Sequence, residues 1–553
     1  MASRAMHTSA LPCTHPLCNA LSPFADANFV PRSSVQSGLA DLKRVLTEHN
    51  YTKANIARVS GRKALLGFDA AELAVCGGQR CPPLKDDMHA APLDVLMQLF
   101  LRVNLDVYVD VGHLRRKAVE RILGRRAVAA LLELGVLAEA KHGRPVIHSN
   151  VQLVPTDDPA HIATDYHQVA TEFWFDRGLE PVMALGGDTD GLVYGAPRHV
   201  PGQRLLDLCT GSGVQAIVAA LHYAEDVTLV DLNPRAVRFA RFNLALNGIS
   251  PERSRVYEGD LYEALPPGTA RFDVITANPP YLPQDEPGRF QEDGTLTGGG
   301  GALRIGDAFT EDGAQEKTMA MFGAGGALGH RLTRAVVRGA GRWLTAHAPD
   351  AAVRIVATIY NTEHYEGWLQ EWWGHSTDDA AEFRMHTGNV WSREVLARRM
   401  GQGRAGVYDG CNALIWIRRR LPSTTPAADA AAPTTLFWRT KLHSFMWQAL
   451  NSETGMREVV QYWLRMEDAR RLLPDYSLHI DEEGRARPTF RTAWDGCTHA
   501  QRLSHLEDHL DLRVRTLPRK MQDELMRCVN GQLAAQFGAK DDGSAHPRVK
   551  DEV

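Results

Sequence analysis

The stretch Arg204-Leu205-Leu206-Asp207-Leu208-Cys209-Thr210-Gly211-Ser212-Gly213-Val214 decides the fold. Arg204 to Leu208 is short and apolar, the pattern of a buried strand. Cys209 to Gly213 is a tight glycine turn, and Val214 to Tyr223, rich in Ala, Val and Ile, reads as a helix. Strand, glycine loop and helix in this order open a nucleotide-binding βαβ unit. The glycines let the backbone approach a ligand closely, and the helix N-terminus supplies N–H groups that no preceding turn uses.

The pattern continues outward. Val227 to Val230 is a second strand ending at Asp231, where a carboxylate can accept both hydroxyls of a ribose. Asn233-Pro234 starts a helix with proline in its first turn, and Arg235 to Asn247 continues it to Gly248 at a C-cap position. A third strand, Ser254 to Tyr257, leads to Glu258-Gly259-Asp260-Leu261, which sets Asp260 beside the base of a bound nucleotide. The apolar run Phe272 to Ala277 then closes on Asn278-Pro279-Pro280-Tyr281. Two consecutive prolines donate no backbone hydrogen bonds and stop a strand abruptly. An amide, unpaired carbonyls and an aromatic ring are thereby presented at the strand's carboxyl end, where open α/β sheets bind ligands.

The glycine loop admits two readings. A dinucleotide site wants Gly-x-Gly-x-x-Gly, and Ala216 at the third position is tolerated there. Asp207, just under the loop, favours S-adenosylmethionine: a carboxylate repels a pyrophosphate but attracts a methionine ammonium group. Residues 165–421 resemble class I S-adenosylmethionine-dependent methyltransferases. More narrowly, Asp207-Leu-Cys-Thr-Gly-Ser-Gly213, Asp231-Leu-Asn-Pro-Arg-Ala-Val237, Asn243-Leu-Ala-Leu-Asn-Gly248 and Asn278-Pro-Pro-Tyr-Leu-Pro283 are similar to the glutamine N5-methyltransferases of peptide-chain release factors. The resemblance implies an α/β, Rossmann-like core with a seven-stranded sheet and S-adenosyl-L-methionine as cofactor. It implies cofactor contacts from Asp207, Thr210, Gly211, Gly213, Asp231, Leu232, Asp260, Leu261 and Asn278, and catalytic roles for Asn278, Pro279 and Tyr281. The same Asn-Pro-Pro-aromatic turn serves adenine-N6 and guanine-N2 methyltransferases of DNA and RNA. The acceptor therefore stays open among a protein amide, which is favoured, a nucleobase amine and a small molecule.

The chemistry suits the turn. An amide or exocyclic amine is a poor nucleophile because its lone pair is delocalised. The Asn278 side-chain oxygen and the Pro279 carbonyl can accept both N–H bonds of such a group and draw the lone pair out of plane. Tyr281 can stack on its flat face. A sulfonium is already an activated leaving group, so positioning in a dry site supplies most of the acceleration, with no metal required.

At 553 residues the chain is too long for one such core and implies two or three domains. Net charge is −4, so no global cationic field points to nucleic acid. No apolar run approaches the roughly 20 residues that span a membrane. Eight scattered cysteines fit a reducing compartment, and a cytoplasmic location is expected. Residues 1–30 have few charges and no continuous apolar core. They read as a disordered tail or a weak targeting segment, with an organellar transit peptide left open. Cys13, His15 and Cys18, and the pair Cys76 and Cys81, lack the paired knuckles of a zinc ribbon, so no metal site is expected.

Residues 31–155 read as a helical N-terminal domain, with Leu39, Leu42, Val45 and Leu46, then Leu93, Leu96, Met97, Phe100 and Leu101, at helical spacing. Helices followed by a hairpin over residues 136–153 resemble a winged-helix module. Arg115, Arg116, Lys117, Arg121, Arg125 and Arg126 form a basic cluster, read as a solvated helix face in preference to an RNA or acidic-protein contact. Residues 156–421 form the methyltransferase domain, with Tyr166, Phe173 and Trp174 as core and Gly186-Gly187 as a candidate loop near the methionine end. Residues 284–321, with Gly298 to Gly301, are an insertion read as a lid or a surface loop. Strands follow at Val353 to Ile359 and Ala413 to Arg418. A Pro/Thr/Ala-rich linker at 422–435 leads to a mostly helical C-terminal region, 436–538, and a disordered tail, 539–553.

Overall fold

The computed structural model describes residues 20–27, 29–59, 75–76, 79–80, 87–101, 114–142, 144–156, 160–165, 181–195, 202–283, 323–345, 351–377, 379–388, 390–399, 406–420, 435–441, 479–480, 486–487, 498 and 500–502. Outside them lie residues 1–19, Cys81, Tyr166, Phe173, Trp174, the insertion at 284–321, nearly all of the linker and most of the C-terminal region.

The N-terminal part runs α1 (Ser33–Glu48), α2 (Lys53–Val59), α3 (Pro92–Phe100), β1 (Leu114–Arg115), α4 (Arg116–Leu123), α5 (Arg125–Glu133), β2 (Leu137–His142) and β3 (Arg144–Ser149). The sheet order is β1-β3-β2, all antiparallel. Helix, strand, two helices and a hairpin thus follow one another, where the sequence pattern shows helices followed by a hairpin. The expected core positions Leu39, Leu42, Val45 and Leu46 are buried. α5 lies against α1 with Ala130 packed on Gly38, and Arg126 pairs with Asp41 at 2.5 Å.

A hairpin runs across the boundary expected at residue 155. In it β4 (Gln152–Pro155) pairs antiparallel with β5 (His161–Thr164). β5 is then fixed to the α/β part that follows by two asparagines of helix 234–246 and its cap. Asn243 Nδ2 donates to the Ala163 carbonyl at 2.9 Å, and Asn247 Nδ2 donates to that of His161 at 2.9 Å. Lys43 of α1 donates to the Asn247 carbonyl at 3.0 Å. Both parts fall in one compact unit, residues 1–453.

The core follows as α6 (Gly187–Gly195), β6 (Gln203–Leu208), α7 (Val214–His222), β7 (Ala224–Asp231), α8 (Pro234–Leu246), β8 (Ser254–Glu258), β9 (Val274–Ala277), α9 (Arg331–Trp343), β10 (Ala352–Tyr360), α10 (Tyr365–Gly374), β11 (Ala381–Thr387), β12 (Trp391–Ser392), α11 (Arg393–Arg399), β13 (Asp409–Arg419) and β14 (Leu436–Lys441). The sheet order is β8-β7-β6-β9-β10-β13-β11-β14, with the short β12 beside β13. β8 to β10 are parallel, and β13 is antiparallel to both neighbours. Parallel order reverses between β6 and β9, and the glycine loop and the Asn-Pro-Pro-Tyr turn leave from those two strands. This is the switch point where such sheets form a crevice.

The expected seven strands are present as β8, β7, β6, β9, β10, β13 and β11. The sequence pattern had not located β11, whose Glu382, Arg384 and His386 alternate with Phe383 and Met385 although every residue of the strand is buried. Glu382 and Arg384 pair at 2.8 Å, which lets this polar face be covered. The run Leu436 to Lys441 stands at the head of the region expected to be mostly helical. It adds to the sheet as β14, parallel to β11, with Phe437 stacked on Phe383 at 5.8 Å. Leu-Phe-Trp-Arg-Thr is a strand-favouring run. In the second unit, residues 454–553, His479–Ile480 pairs antiparallel with Ala486–Arg487.

Candidate active site

A cavity of about 160 Å³ opens at the carboxyl ends of β6, β7, β8 and β9. Its lining includes Asp207, Thr210, Gly211, Asp231, Leu232, Asp260, Leu261 and Asn278 of the expected set. Gly213 does not reach it. That residue caps α7 at φ +83° and packs on Leu229 and Ala240 beneath the loop. Pro279 and Tyr281 also lie off the lining, Pro279 buried and Tyr281 half-buried.

The loop is shaped by three left-handed residues, Cys209, Gly211 and Gly213. Gly211 has φ +55°, and a methyl group added to it would meet no protein atom within 4 Å. The conformation thus favours glycine while the space outside it stays clear, as a cradle for a ligand requires.

The acids differ in their surroundings. Asp207 is 1% exposed. Its Oδ2 accepts from the Thr210 hydroxyl, and its Oδ1 accepts from the Thr276 hydroxyl at 2.7 Å. Burial pushes its carboxyl up to about 7, only partly offset by those hydroxyls. Asp231 accepts from Gly211 N–H at 2.7 Å and from Asn233 N–H at 2.9 Å. Burial outweighs these bonds and holds it at about 6. Asp260 starts the 3₁₀ turn Leu261–Ala264. These acids in one enclosed space suit a cationic, hydroxyl-bearing ligand.

One wall of the cavity is the strap Pro181 to Leu185. Asp165 Oδ2 accepts from Val182 N–H at 2.7 Å, and Asn233 Nδ2 donates to the Pro181 carbonyl at 3.3 Å. Asp165 is itself held by both Arg235 guanidinium nitrogens, at 2.6 and 2.7 Å, with both side chains buried.

At the other end, Asn278 Nδ2 donates to Asp188 Oδ2 at 2.9 Å, and the Tyr281 hydroxyl donates to the same oxygen at 3.2 Å. Burial and Asp188 hold the Tyr281 phenol well above its ordinary range, so it stays a donor. The segment Gly323 to Arg331 crosses the turn, with Leu282 N–H bonded to the Gly323 carbonyl at 2.8 Å. Gly329, at φ +73°, lies so close that a methyl group there would collide with the Tyr281 carbonyl oxygen and the Tyr360 ring.

The sequence points to the segment 165–195, which holds the strap, as one that folds over a cofactor, but not to Asp165 or Asp188 individually. The only local signal for Asp188 was the Gly186-Gly187 pair before it, flagged as a loop near the ligand. Among the described residues no cluster of ligands for a metal is found, and no helix is long and apolar enough to cross a membrane.

Residues 191–289 match the family profile described as the methyltransferase small domain. The chain is 41% identical over 157 residues to the ribosomal protein uL3 glutamine methyltransferase of Bradyrhizobium diazoefficiens, covering 26% of this chain and 47% of that one. It is 38% identical over 120 residues to the release factor glutamine methyltransferase of Bordetella pertussis, covering 20% and 43%. It is also 40% identical over 104 residues to the tRNA1(Val) (adenine(37)-N6)-methyltransferase of Citrobacter koseri, covering 18% and 42%. The matched part thus spans a little under half the length of these relatives. The Asn-Pro-Pro-Tyr turn and much of the cavity lining lie in the matched stretch, 191–289, while the strap 181–185, Thr189, Ala324, Arg331 and Leu332 of the lining lie outside it.

Proposed function

We propose that the protein is an S-adenosylmethionine-dependent N-methyltransferase acting on a planar nitrogen, a protein glutamine amide before others. The observation that carries the reading is the Asn278 amide, oriented by Asp188, at the edge of a cavity lined by Asp207, Asp231 and Asp260. The residues fit the cofactor. Gly211 leaves a cradle clear of side chains, Asp207 and Asp260 favour a cationic, amine-bearing ligand, and Asp231 offers a carboxylate to ribose hydroxyls. When bound, the cofactor supplies an electrophilic methyl group on a sulfonium. Everything else falls to the chain.

Asn278 gives its NH₂ to Asp188, which leaves its oxygen as the acceptor for a substrate N–H. The Pro279 carbonyl takes the second N–H. Two such bonds hold the nitrogen with its lone pair out of the amide plane and toward the methyl group. Burial keeps Tyr281 neutral, so its ring offers an uncharged face for stacking. With the cofactor bound, N–C bond formation would go with cleavage of the methyl C–S bond to leave a neutral thioether, and the substrate nitrogen, made acidic, would pass its proton to solvent.

One observation supports a protein acceptor over RNA. Arg116 pairs with Glu120 at 2.8 Å and Glu139 at 3.0 Å, and Arg126 pairs with Asp41, so much of the basic cluster is already neutralised. The test is methyl transfer from labelled S-adenosylmethionine into extract. The expected label survives RNase, is released by protease and appears as N5-methylglutamine after enzymatic digestion. Label that RNase removes and protease spares would overturn the protein reading.

A further inference from the structure

Asp188 sits in the first turn of α6, ninety residues before Asn278 in sequence. Its Oδ1 accepts from Thr189 N–H at 2.8 Å, and the Thr189 carbonyl accepts from Gln215 Nε2 of α7 at 3.2 Å. The carboxylate is thus held on a fixed base. Its other oxygen, Oδ2, lies between the two polar side chains of the catalytic turn, accepting from Asn278 and Tyr281 together.

An ionised carboxylate only accepts, whereas a primary amide can present either end to a neighbour. We propose that Asp188 is a positioning residue that sets the orientation of the Asn278 amide, forcing its nitrogen inward and its oxygen toward the methyl acceptor. The inference rests on the methyltransferase reading of this site. Flipped, Asn278 would offer N–H groups to a substrate that also offers N–H groups, and the alignment would be lost. The Tyr281 hydroxyl, bonded to the same oxygen, ties the ring to the same reference point. Asp188 therefore acts on the reaction through Asn278.

Asp188→Asn tests this. Asparagine keeps the acceptor for Thr189 N–H and begins helices as well as aspartate does, so the fold is retained. It can also donate, and so permits the wrong Asn278 orientation. The expected result is a kcat lower by about ten- to a hundredfold, the size of one misplaced hydrogen bond in a transition state, with S-adenosylmethionine affinity by calorimetry and the melting temperature unchanged. In an Asn278→Ala background the same substitution should change kcat less than twofold, because the group it orients is gone. With selective ¹⁵N-asparagine labelling, the Asn278 side-chain signal should move in Asp188→Asn before any cofactor is added. Full kcat in Asp188→Asn, or an equal further loss in the Asn278→Ala background, would overturn the proposal. So would weakened cofactor binding at unchanged kcat, which would make Asp188 a cofactor contact. Absence of methyl transfer by the wild-type protein would instead defeat the reading of the site as a whole, and the ¹⁵N signal would still report on the orientation.

Discussion

At the scale of single residues, the site depends on carboxylates placed where they are costly. Asp207 and Asp231 are pushed up to about 7 and about 6 mainly by burial. A carboxyl whose pKa is raised on folding binds its proton more tightly in the native state. Its contribution to stability is therefore complete below the unfolded value near 4 and is lost as pH rises through the folded value. The cofactor-free protein should lose stability between about pH 4 and 7 through these two groups. A cationic ligand favours the ionised form, so binding should release protons and weaken as pH falls through about 7. Calorimetry between pH 5.5 and 8 in buffers of different ionisation heat checks this. Affinity that holds or rises on acidification would contradict it. Asp207, Gly211, Asp231 and Asn278 were legible in the sequence because their chemistry is local: each ends a strand or shapes the loop after it. Asp188 was not, because its partner is ninety residues away and only the folded chain brings them together.

At the scale of elements, the cavity wall is as important as its floor. The strap 181–185 has no regular structure of its own and is held to α8 through Asp165, Arg235 and Asn233. Removing one member of a buried ion pair leaves the other charge without compensation, at a cost of about 3–5 kcal/mol. Arg235→Ala should therefore lose stability of that order in urea denaturation and bind the cofactor more weakly, since Val182 loses its anchor. A loss under about 1 kcal/mol would show that the strap is held by other means. The parallel strands were readable because they are apolar and end in turn signals. β11 was hidden because its two faces differ in polarity while both are buried, a pattern that resembles an exposed strand or a loop. β14 was hidden because the Pro-rich stretch before it suggested that the domain had ended.

At the scale of the molecule, the N-terminal helices and the catalytic core form one unit. The β4–β5 hairpin and the clamps of Asn243 and Asn247 make the expected boundary a contact. Composition could place a helical region before the core but not reveal that α1 packs on α8, since that depends on which faces meet. The central claim is that the crevice between β6 and β9 is an S-adenosylmethionine site serving the Asn278 turn. It is tested most directly by calorimetric titration of S-adenosylmethionine into the wild-type protein, Asp231→Ala and Asn278→Ala. The account predicts saturable binding by wild type, binding reduced at least tenfold in Asp231→Ala, as expected for a lost charge-assisted pair of hydrogen bonds, and near-normal binding in Asn278→Ala. No binding by the wild-type protein, or an Asp231→Ala variant that binds as wild type does, would contradict it.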